Sequence, residues 1–163
     1  MSTEPRVREA HSDEAGLLHD ILVRAFSEYE GRLDPPSGVH SETIASVRNK
    51  VNEGGALICE AGGDVAGCVF YAPKAGYVYV GRLAVVPEYR RRGIGDLLLR
   101  AAERRAAELG LSHVRLGVRL ALGELRAYYE ARGYVPIASR SHAGYTEATY
   151  VEMEKALGHQ APN

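Results

Sequence analysis

Apolar residues recur every three or four positions after a short predicted strand at residues 6–9, the spacing of an amphipathic helix. The apolar stripe consists of Leu17, Leu18, Ile21, Leu22, Ala25 and Phe26. Ser12 is expected to cap this helix, and Asp13 and Glu14 occupy the first turn, where the helix dipole favours carboxylates. We expect the helix to end near residues 29–31, before a loop rich in proline and glycine.

A second helix is predicted at residues 41–52, and three strands follow it. The inner face of this helix carries Ile44, Val47 and Val51. Strands are predicted at residues 56–61 and 65–71, and the glycines and aspartate between them are typical of a hairpin turn. The third strand covers residues 77–86 and ends at a proline.

The strongest helical pattern lies at residues 95–109, which are rich in alanine and arginine and are followed by a glycine. The positions expected to point inward are Leu98, Ala101, Ala102 and Leu109. A strand at residues 113–118 follows, and a succession of strand, helix and strand favours a parallel crossover. A helix at residues 124–132 then leads into two strands, residues 134–139 and 146–155, which form a predicted hairpin.

This order of elements predicts a mixed α/β domain whose helices cover both faces of a central sheet. A chain of 163 residues is long enough to bury one hydrophobic core. We therefore expect one domain over residues 1–157 and a flexible tail over residues 158–163.

Composition excludes several classes of protein. The chain is 45% hydrophobic and 25% charged, as ordinary globular proteins are, and its formal net charge is -1. No global basic field is available for nucleic acid or for a membrane surface, and no apolar run is long enough to span a bilayer. With no secretory signal at the start, the sequence predicts a cytoplasmic protein without nucleic-acid or membrane partners.

Cysteine usage supports the same compartment. Cys59 and Cys68 are too few for a disulfide scaffold or for a metal site of the usual spacing, so no metal is expected. They lie on neighbouring predicted strands, where they could approach each other across a hairpin. We expect both to be core thiols of a reduced protein.

The most informative stretch joins the third strand of the hairpin region to the strong helix. Three arginines, Arg90 to Arg92, are followed by Gly93 and Gly95 where that helix opens. Helix starts expose unpaired N–H groups, and glycines let a ligand approach the backbone, so the stretch indicates a pyrophosphate site. The alternative is a solvated loop in which the glycines only permit a turn. A Walker loop is absent, and Leu98 replaces the third glycine of a dinucleotide fingerprint.

Arg90-x-x-Gly93-x-Gly95, preceded by Leu-Ala-Val-x-Pro-x-Tyr, resembles the coenzyme A motif of the GNAT superfamily of N-acetyltransferases. The resemblance covers residues 6–157. It implies antiparallel N-terminal strands and a parallel pair of fourth and fifth strands that splay around coenzyme A, with residues 114–117 as the opposite lip. The cofactor-binding residues that the resemblance implies are Leu83, Ala84 and Val85 for the pantetheine arm, and Arg90, Arg91, Arg92, Gly93, Ile94, Gly95 and Asp96 for the phosphates.

A second stretch, residues 127–134, resembles the aromatic-Tyr-Glu-x-x-Gly-aromatic motif of the same family. The resemblance implies that Tyr129 is the general acid that protonates the departing thiolate, a role suited to a phenol of pKa near 10. Tyr128 and Tyr134 are expected to be core or wall residues. The sequence departs from the family at Leu122, where many members carry an asparagine that contacts the cofactor.

The acceptor side has no motif, and no general base is assigned. The candidates at the end of the first helix are Glu28, Tyr29 and Glu30. His11 and His142 have suitable pKa values but no recognisable partner. The candidates to line the cleft from the fourth strand are Arg82, Tyr77 and Tyr79. Residues 34–40 are a candidate lid. A small-molecule amine is the expected acceptor.

Four functions compete at this point. The leading hypothesis is direct transfer of an acetyl group from acetyl-CoA, as co-substrate, to a primary amine. A transferase of another acyl-CoA and a coenzyme A-binding sensor without turnover are the alternatives, and a nucleic-acid-binding module is disfavoured by the charge balance. A homodimer is possible.

Overall fold

The computed structural model describes residues 4–158, and within them the order of strands and helices is the predicted one. The strands are β1 (Arg6–Glu9), β2 (Gly55–Ala61), β3 (Asp64–Pro73), β4 (Tyr77–Val85), β5 (His113–Arg119), β6 (Val135–Arg140) and β7 (Tyr150–Ala156). The α-helices are α1 (Ala15–Phe26), α2 (Ile44–Glu53), α3 (Ile94–Glu108) and α4 (Gly123–Glu130). Most of the predicted tail, residues 159–163, lies outside the described residues.

The strands form one seven-stranded sheet in the order β1-β2-β3-β4-β5-β7-β6. Strand β2 is antiparallel to β1 and β3, and β7 is antiparallel to β5 and β6. Strand β4 pairs with β5 in parallel, over Tyr77–Tyr79 and His113–Arg115. The predicted mixed sheet with a parallel fourth and fifth strand is confirmed.

The described chain falls into two compact units, and the first consists of residues 4–72 and 80–105. Its main core lies where α1 and α2 pack on one face of the sheet. The buried members of this core include Leu18, Ile21, Leu22, Val47, Ile58, Phe70 and Ala84. Cys68 faces this core, so its neighbour Gly67 faces the other side of the sheet. Leu98 of α3 lies 3.1 Å from the position that a β-carbon on Gly67 would take, and α3 therefore covers that opposite face. The prediction of helices on both faces is therefore confirmed in this unit.

The second unit consists of residues 73–79 and 106–158 and contains β5, α4, β6 and β7. Val114, Leu116 and Val118 alternate along β5 toward one face of the sheet, and all are buried. Helix α4 packs against β5. The hairpin between β6 and β7 closes at a turn where the Tyr145 N–H donates to the His142 carbonyl over 3.0 Å. That turn confirms the predicted hairpin.

Helix α1 begins later than the sequence suggested, and Ser12 is not its cap. Residues Ser12–Glu14 form a single 3₁₀ turn, and the helix starts at Ala15. The Glu14 carboxylate accepts the His11 N–H over 2.9 Å and pairs with Arg8 over 2.7 Å. Glu14 therefore stabilises the turn through these two contacts, whereas the sequence indicated only a favourable interaction of its charge with the helix dipole.

Three apolar positions expected to face inward are exposed: Leu17, Ile44 and Leu109. Leu17 is displaced about 100° around the helix from Leu18, outside the buried stripe. Ile44 is the first residue of α2, and Leu109 follows the last residue of α3. Residues at helix ends lie beyond the surface that packing covers, so periodicity alone places them wrongly.

Both cysteines are buried and free, as expected of core thiols. Cys59 pairs with Gly67 and Cys68 with Ile58 across β2 and β3. Directly opposed residues share a face and consecutive residues alternate, so the two thiols point to opposite faces of the sheet. The idea that they could approach each other across the hairpin is wrong. Burial raises the pKa of both thiols.

Candidate functional site

The connection from β4 to α3 is a compact turn held by its own backbone. Val86 N–H donates to the Ala66 carbonyl over 2.9 Å, and the 3₁₀ turn Pro87–Tyr89 follows. The Tyr89 hydroxyl lies 3.1 Å from the Asp64 carboxylate and 3.2 Å from the Ala61 carbonyl oxygen. The turn is thereby tied to the hairpin between β2 and β3.

Two residues have a left-handed backbone conformation where the turn enters the helix. Arg91 has φ 64° and Gly93 has φ 77°, both left-handed. Arg90 before them is extended, so the chain turns sharply at Arg91. Turns of this kind can direct successive N–H groups into one concavity, a geometry that suits anions. Nothing in the protein lies within 4 Å of the β-carbon that Gly93 lacks. The sequence therefore uses Gly93 both for its backbone angle and for open space beside it.

Helix α3 adds the amides of its first turn. Its first helical hydrogen bond runs from the Leu97 N–H to the Gly93 carbonyl over 3.1 Å. The amides of Ile94 and Gly95 precede that bond, at the helix start where N–H groups lack an acceptor one turn earlier in the helix. The Ile94 side chain is 2% exposed and fixes the start of the helix in the core. The predicted phosphate loop therefore combines a helix start, a curled backbone and exposed arginines.

The three arginines are not equivalent. The Arg90 guanidinium lies 2.8 Å from the Ala25 carbonyl, 3.3 Å from the Val85 carbonyl and 3.0 Å from the Glu28 carboxylate. Its side chain is thus engaged within the protein, tying the end of β4 to the end of α1. Arg91 and Arg92 are exposed, and Arg92 lies 5.2 Å from the centre of the Tyr89 ring. These two are the most exposed arginines of the loop.

The predicted pantetheine segment, Leu83 to Val85, ends β4. Ala84 is buried, whereas Leu83 and Val85 are half-buried. Gly67 of β3 approaches so closely that an added β-carbon would lie 2.4 Å from the Ala84 carbonyl oxygen. The segment is therefore backed by main chain on one side, which fixes its own main chain in place.

Tyr129, the candidate general acid, lies in the last turn of α4 in the second unit. It is 6% exposed, and its ring lies 5.2 Å from Tyr128 and 5.7 Å from Tyr134. Its carbonyl accepts the N–H groups of Arg132 and Tyr134 at the helix end. Tyr134 is 1% exposed and is confirmed as a core residue, and Tyr128 packs under the Arg132 guanidinium at 3.5 Å. The Tyr129 ring thus packs edge to face against two neighbouring rings.

Leu122 is the residue before α4, and its carbonyl accepts the N–H groups of Leu125 and Arg126. Its backbone thus begins the helix. The aliphatic side chain offers no hydrogen bond, in contrast to the asparagine that the motif often carries.

The acceptor-side candidates of the first unit are mostly engaged with other residues. Glu28 pairs with Arg90, and Tyr29 lies in the 3₁₀ turn Ser27–Tyr29, where burial raises its pKa. Glu30 follows that turn, and His11 precedes the turn before α1. The candidate lid is anchored at its far end by Val39, which is 2% exposed in the 3₁₀ turn Gly38–Ser41.

The second unit contains the remaining acceptor candidates. Arg115 lies 4.1 Å from the centre of the Tyr77 ring, and the Tyr79 hydroxyl lies 3.1 Å from the β-carbon position of Gly117. The His142 Nδ1 contacts the Thr149 hydroxyl, and its ring centre lies 5.0 Å from that of Tyr150. Burial, followed by the nearby Arg119 charge, lowers the pKa of His142. Both effects favour the neutral form of its ring.

Sequence reasoning missed one charged residue, Glu42, whose side chain is 5% exposed. Its carboxylate lies 3.2 Å from Arg82 Nε. Its only signal in the sequence is its place directly before Thr43, the N-cap of α2. That position predicts a solvated helix end, so burial could not be foreseen. Among the described residues, no group of three histidine, cysteine or carboxylate side chains is arranged to hold a metal ion.

Comparison with known proteins identifies the family. The model of the acetyltransferase (GNAT) family matches residues 17–134. No curated protein matches the sequence.

Many solved structures share the fold. The PaiA N-acetyltransferase from Thermoplasma acidophilum, in complex with coenzyme A, is 18% identical with a TM-score of 0.77, over 94% of this chain and 99% of that one. The ribosomal-protein-S18-alanine N-acetyltransferase from Escherichia coli is 18% identical with a TM-score of 0.73, over 98% and 100%. A GNAT family acetyltransferase from Elizabethkingia anophelis with acetyl-CoA bound is 16% identical with a TM-score of 0.71, over 94% and 98%. At these identities the likeness establishes the fold. Together with the family match, it shows that the chain belongs to the acetyltransferase (GNAT) family and is an acyltransferase.

Proposed function

We propose that the protein transfers an acetyl group from acetyl-CoA directly to a primary amine of a small-molecule acceptor. The observation that carries the proposal is the start of α3, where left-handed Arg91 and Gly93 precede the first-turn amides of a 15-residue helix. Helix starts of this kind bind phosphate through N–H groups and the positive end of the dipole. Because the net charge of the whole protein is -1, the positive potential at this turn is local and does not come from a generally basic surface.

The residues present fit coenzyme A. In the proposal, the amides from Arg91 to Asp96 hold the pyrophosphate, and the open space beside Gly93 admits it. The exposed side chains of Arg91 and Arg92 can meet a further phosphate through charge-assisted hydrogen bonds. Main-chain groups of Leu83 to Val85 would pair with the amides of the pantetheine arm, as a strand pairs with an extended peptide.

Acetyl-CoA supplies an acetyl group activated as a thioester. The amine nitrogen attacks the carbonyl carbon, a C–N bond forms and the C–S bond breaks. Tyr129 donates its hydroxyl proton to the departing sulfur and regains a proton from solvent, which also takes the proton that the amine loses. The edge-to-face packing of Tyr128 and Tyr134 against the Tyr129 ring supports this role, because it restricts the motion of that ring.

Experiment can distinguish this function from two alternatives. A coenzyme A sensor would bind the cofactor without turnover, and a transferase of another acyl group would prefer a different thioester. For the acceptor, the competing class is a protein, because the Escherichia coli neighbour is named for an alanine of ribosomal protein S18. A panel that contains small primary amines and short peptides, each offered with acetyl-CoA and longer acyl-CoAs, distinguishes all of these.

The test measures free thiol release and the mass of the acetylated product. We expect thiol release with acetyl-CoA and at least one small amine. In Tyr129→Phe the turnover number should fall about 100-fold or more, while the dissociation constant for coenzyme A stays unchanged. Tyr128→Phe is the matched control, since it removes a neighbouring hydroxyl from the same helix turn.

Equal turnover in Tyr129→Phe and the unmodified protein would remove Tyr129 from the mechanism. Coenzyme A binding without thiol release from any amine or peptide would support the sensor instead.

A further inference from the structure

Arg82 has a backbone conformation that its residue type disfavours. It lies within β4 with φ 54°, the left-handed region. Side chains with a β-carbon meet steric strain there, and glycine does not. The preceding residue is Gly81, so the chain carries an arginine where a glycine would be less strained. Strain of this kind persists only where the surroundings enforce it.

The enforcing contacts run through the Arg82 side chain. Its Nε donates to Glu42 Oε2 over 3.2 Å, and its Nη2 lies 2.8 Å from the position of a β-carbon on Gly38. The guanidinium is thus fixed between the turn Gly38–Ser41 and the carboxylate that follows it.

Glu42 is itself held from several sides. Its Oε1 accepts the Ser46 hydroxyl over 2.5 Å, and its Oε2 lies 3.7 Å from Lys50 Nζ, both on α2. Its backbone carbonyl lies 3.0 Å from the His19 Nε2 on α1. With a side chain 5% exposed, this carboxylate needs its cationic partner, because an unpaired buried charge is strongly unfavourable. Glu42 therefore keeps the Arg82 side chain in one place.

The main chain that follows Arg82 is Leu83 to Val85. A left-handed residue inside a strand rotates the next peptide planes, so it determines where their N–H and C=O groups point. We propose that Glu42 and Arg82 are a positioning pair: Glu42 holds Arg82 in its left-handed conformation and thereby aims the main chain of Leu83–Val85 at the pantetheine arm of the cofactor. This inference rests on the proposed function.

A structural pair that only joins α2 to β4 would weaken every ligand equally, or none. If the pair positions Leu83–Val85, its loss should weaken only the binding of ligands that carry the pantetheine arm. Coenzyme A carries the arm, whereas adenosine 3′,5′-bisphosphate carries the nucleotide without it. Calorimetric titration of both ligands into each folded variant therefore separates the two roles.

Glu42→Gln should weaken coenzyme A binding about tenfold, equivalent to about 1.4 kcal/mol, and leave adenosine 3′,5′-bisphosphate binding unchanged. Two double variants sharpen the test. Arg82→Gly with Glu42→Gln retains a residue that accepts a left-handed φ, whereas Arg82→Ala with Glu42→Gln does not. The glycine variant should bind coenzyme A more tightly than the alanine variant. Asp20→Asn, which removes an exposed charge 4.0 Å from Arg24 on α1, is the control and should change neither affinity.

Amide resonances of Leu83 to Val85 give a readout without any ligand, and Glu42→Gln should shift them in the free protein. Equal losses for both ligands, unchanged coenzyme A affinity, or identical behaviour of the two double variants would overturn the positioning role while the proposed function stands. Absence of coenzyme A binding by the unmodified protein would instead overturn the proposed function, and this inference with it.

Discussion

At the scale of single residues, Glu14 shows how one carboxylate organises a local structure. Its hydrogen bond from Arg8 is the main reason that its pKa is lowered to about 2, and the His11 amide adds to the effect. A carboxylate with a lowered folded-state pKa stabilises the fold above its unfolded pKa, about 4.5, and the contribution is lost as the pH falls toward 2.

Glu14→Gln should therefore lower the free energy of unfolding by about 1 kcal/mol at neutral pH, a value reduced for solvent screening of a partly exposed pair. The penalty should shrink as the pH is lowered below 4.5. Urea unfolding over a pH series measures it, with Asp13→Asn as control, since that change removes the same charge from the same turn. A penalty that is constant across the series would contradict this account of the pair.

Residue-level features divide into those that the sequence predicts and those that it does not. Gly93 could be singled out from the sequence, because a glycine directly before a strong helix leaves the backbone open to a ligand. The left-handed Arg82 and the buried Glu42 were not, since neither residue type signals its environment. Both depend on contacts between segments distant in the chain, and a pattern of local spacing contains no information on these.

At the scale of elements, the close approach of β3 to β4 determines where the predicted pantetheine segment lies. A β-carbon on Gly67 would lie 2.4 Å from the Ala84 carbonyl and 3.3 Å from the Val85 Cα. Since these atoms are backbone, they cannot rotate away, and the strand itself would have to move.

Gly67→Ala should therefore lower the free energy of unfolding by about 1–3 kcal/mol, the usual range for overpacking. It should weaken coenzyme A binding as well, because Ala84 and Val85 are displaced. Gly123→Ala is the matched control: nothing lies within 4 Å of its β-carbon position at the start of α4, so alanine should be neutral or stabilising there. Urea unfolding and calorimetry of both variants check this, and similar stabilities would refute the role of Gly67.

Element order was predictable, and element ends were less so. Strand β1 matches its predicted bounds, residues 6–9. Strand β7 begins at Tyr150, later than the predicted residue 146, because the turn that starts at His142 is followed by an irregular segment. Helix α1 begins later than predicted, because Glu14, and not Ser12, accepts the hydrogen bond at the start of the preceding turn.

At the scale of the whole molecule, the hydrophobic pattern and the family motif together predicted the sheet. The parallel pairing of β4 and β5 followed from a strand, a helix and a strand in succession. The acceptor was not predictable, because no motif in the sequence marks the residues that would bind it. Within residues 4–158, no helix has both the length and the apolar character needed to span a bilayer. The single domain, the homodimer and the cytoplasmic location stay predictions.

The central claim is that the start of α3 binds the diphosphate of coenzyme A, and calorimetric titration with coenzyme A tests it most directly. Gly93→Ala and Gly110→Ala form a matched pair, because both glycines have φ 77° and open space around the β-carbon position. Each substitution imposes the same backbone strain, at opposite ends of α3.

We expect saturable binding by the unmodified protein, similar losses of stability in the two variants, and a large loss of affinity only in Gly93→Ala. No detectable binding at millimolar coenzyme A, or equal affinities in both variants, would contradict the account.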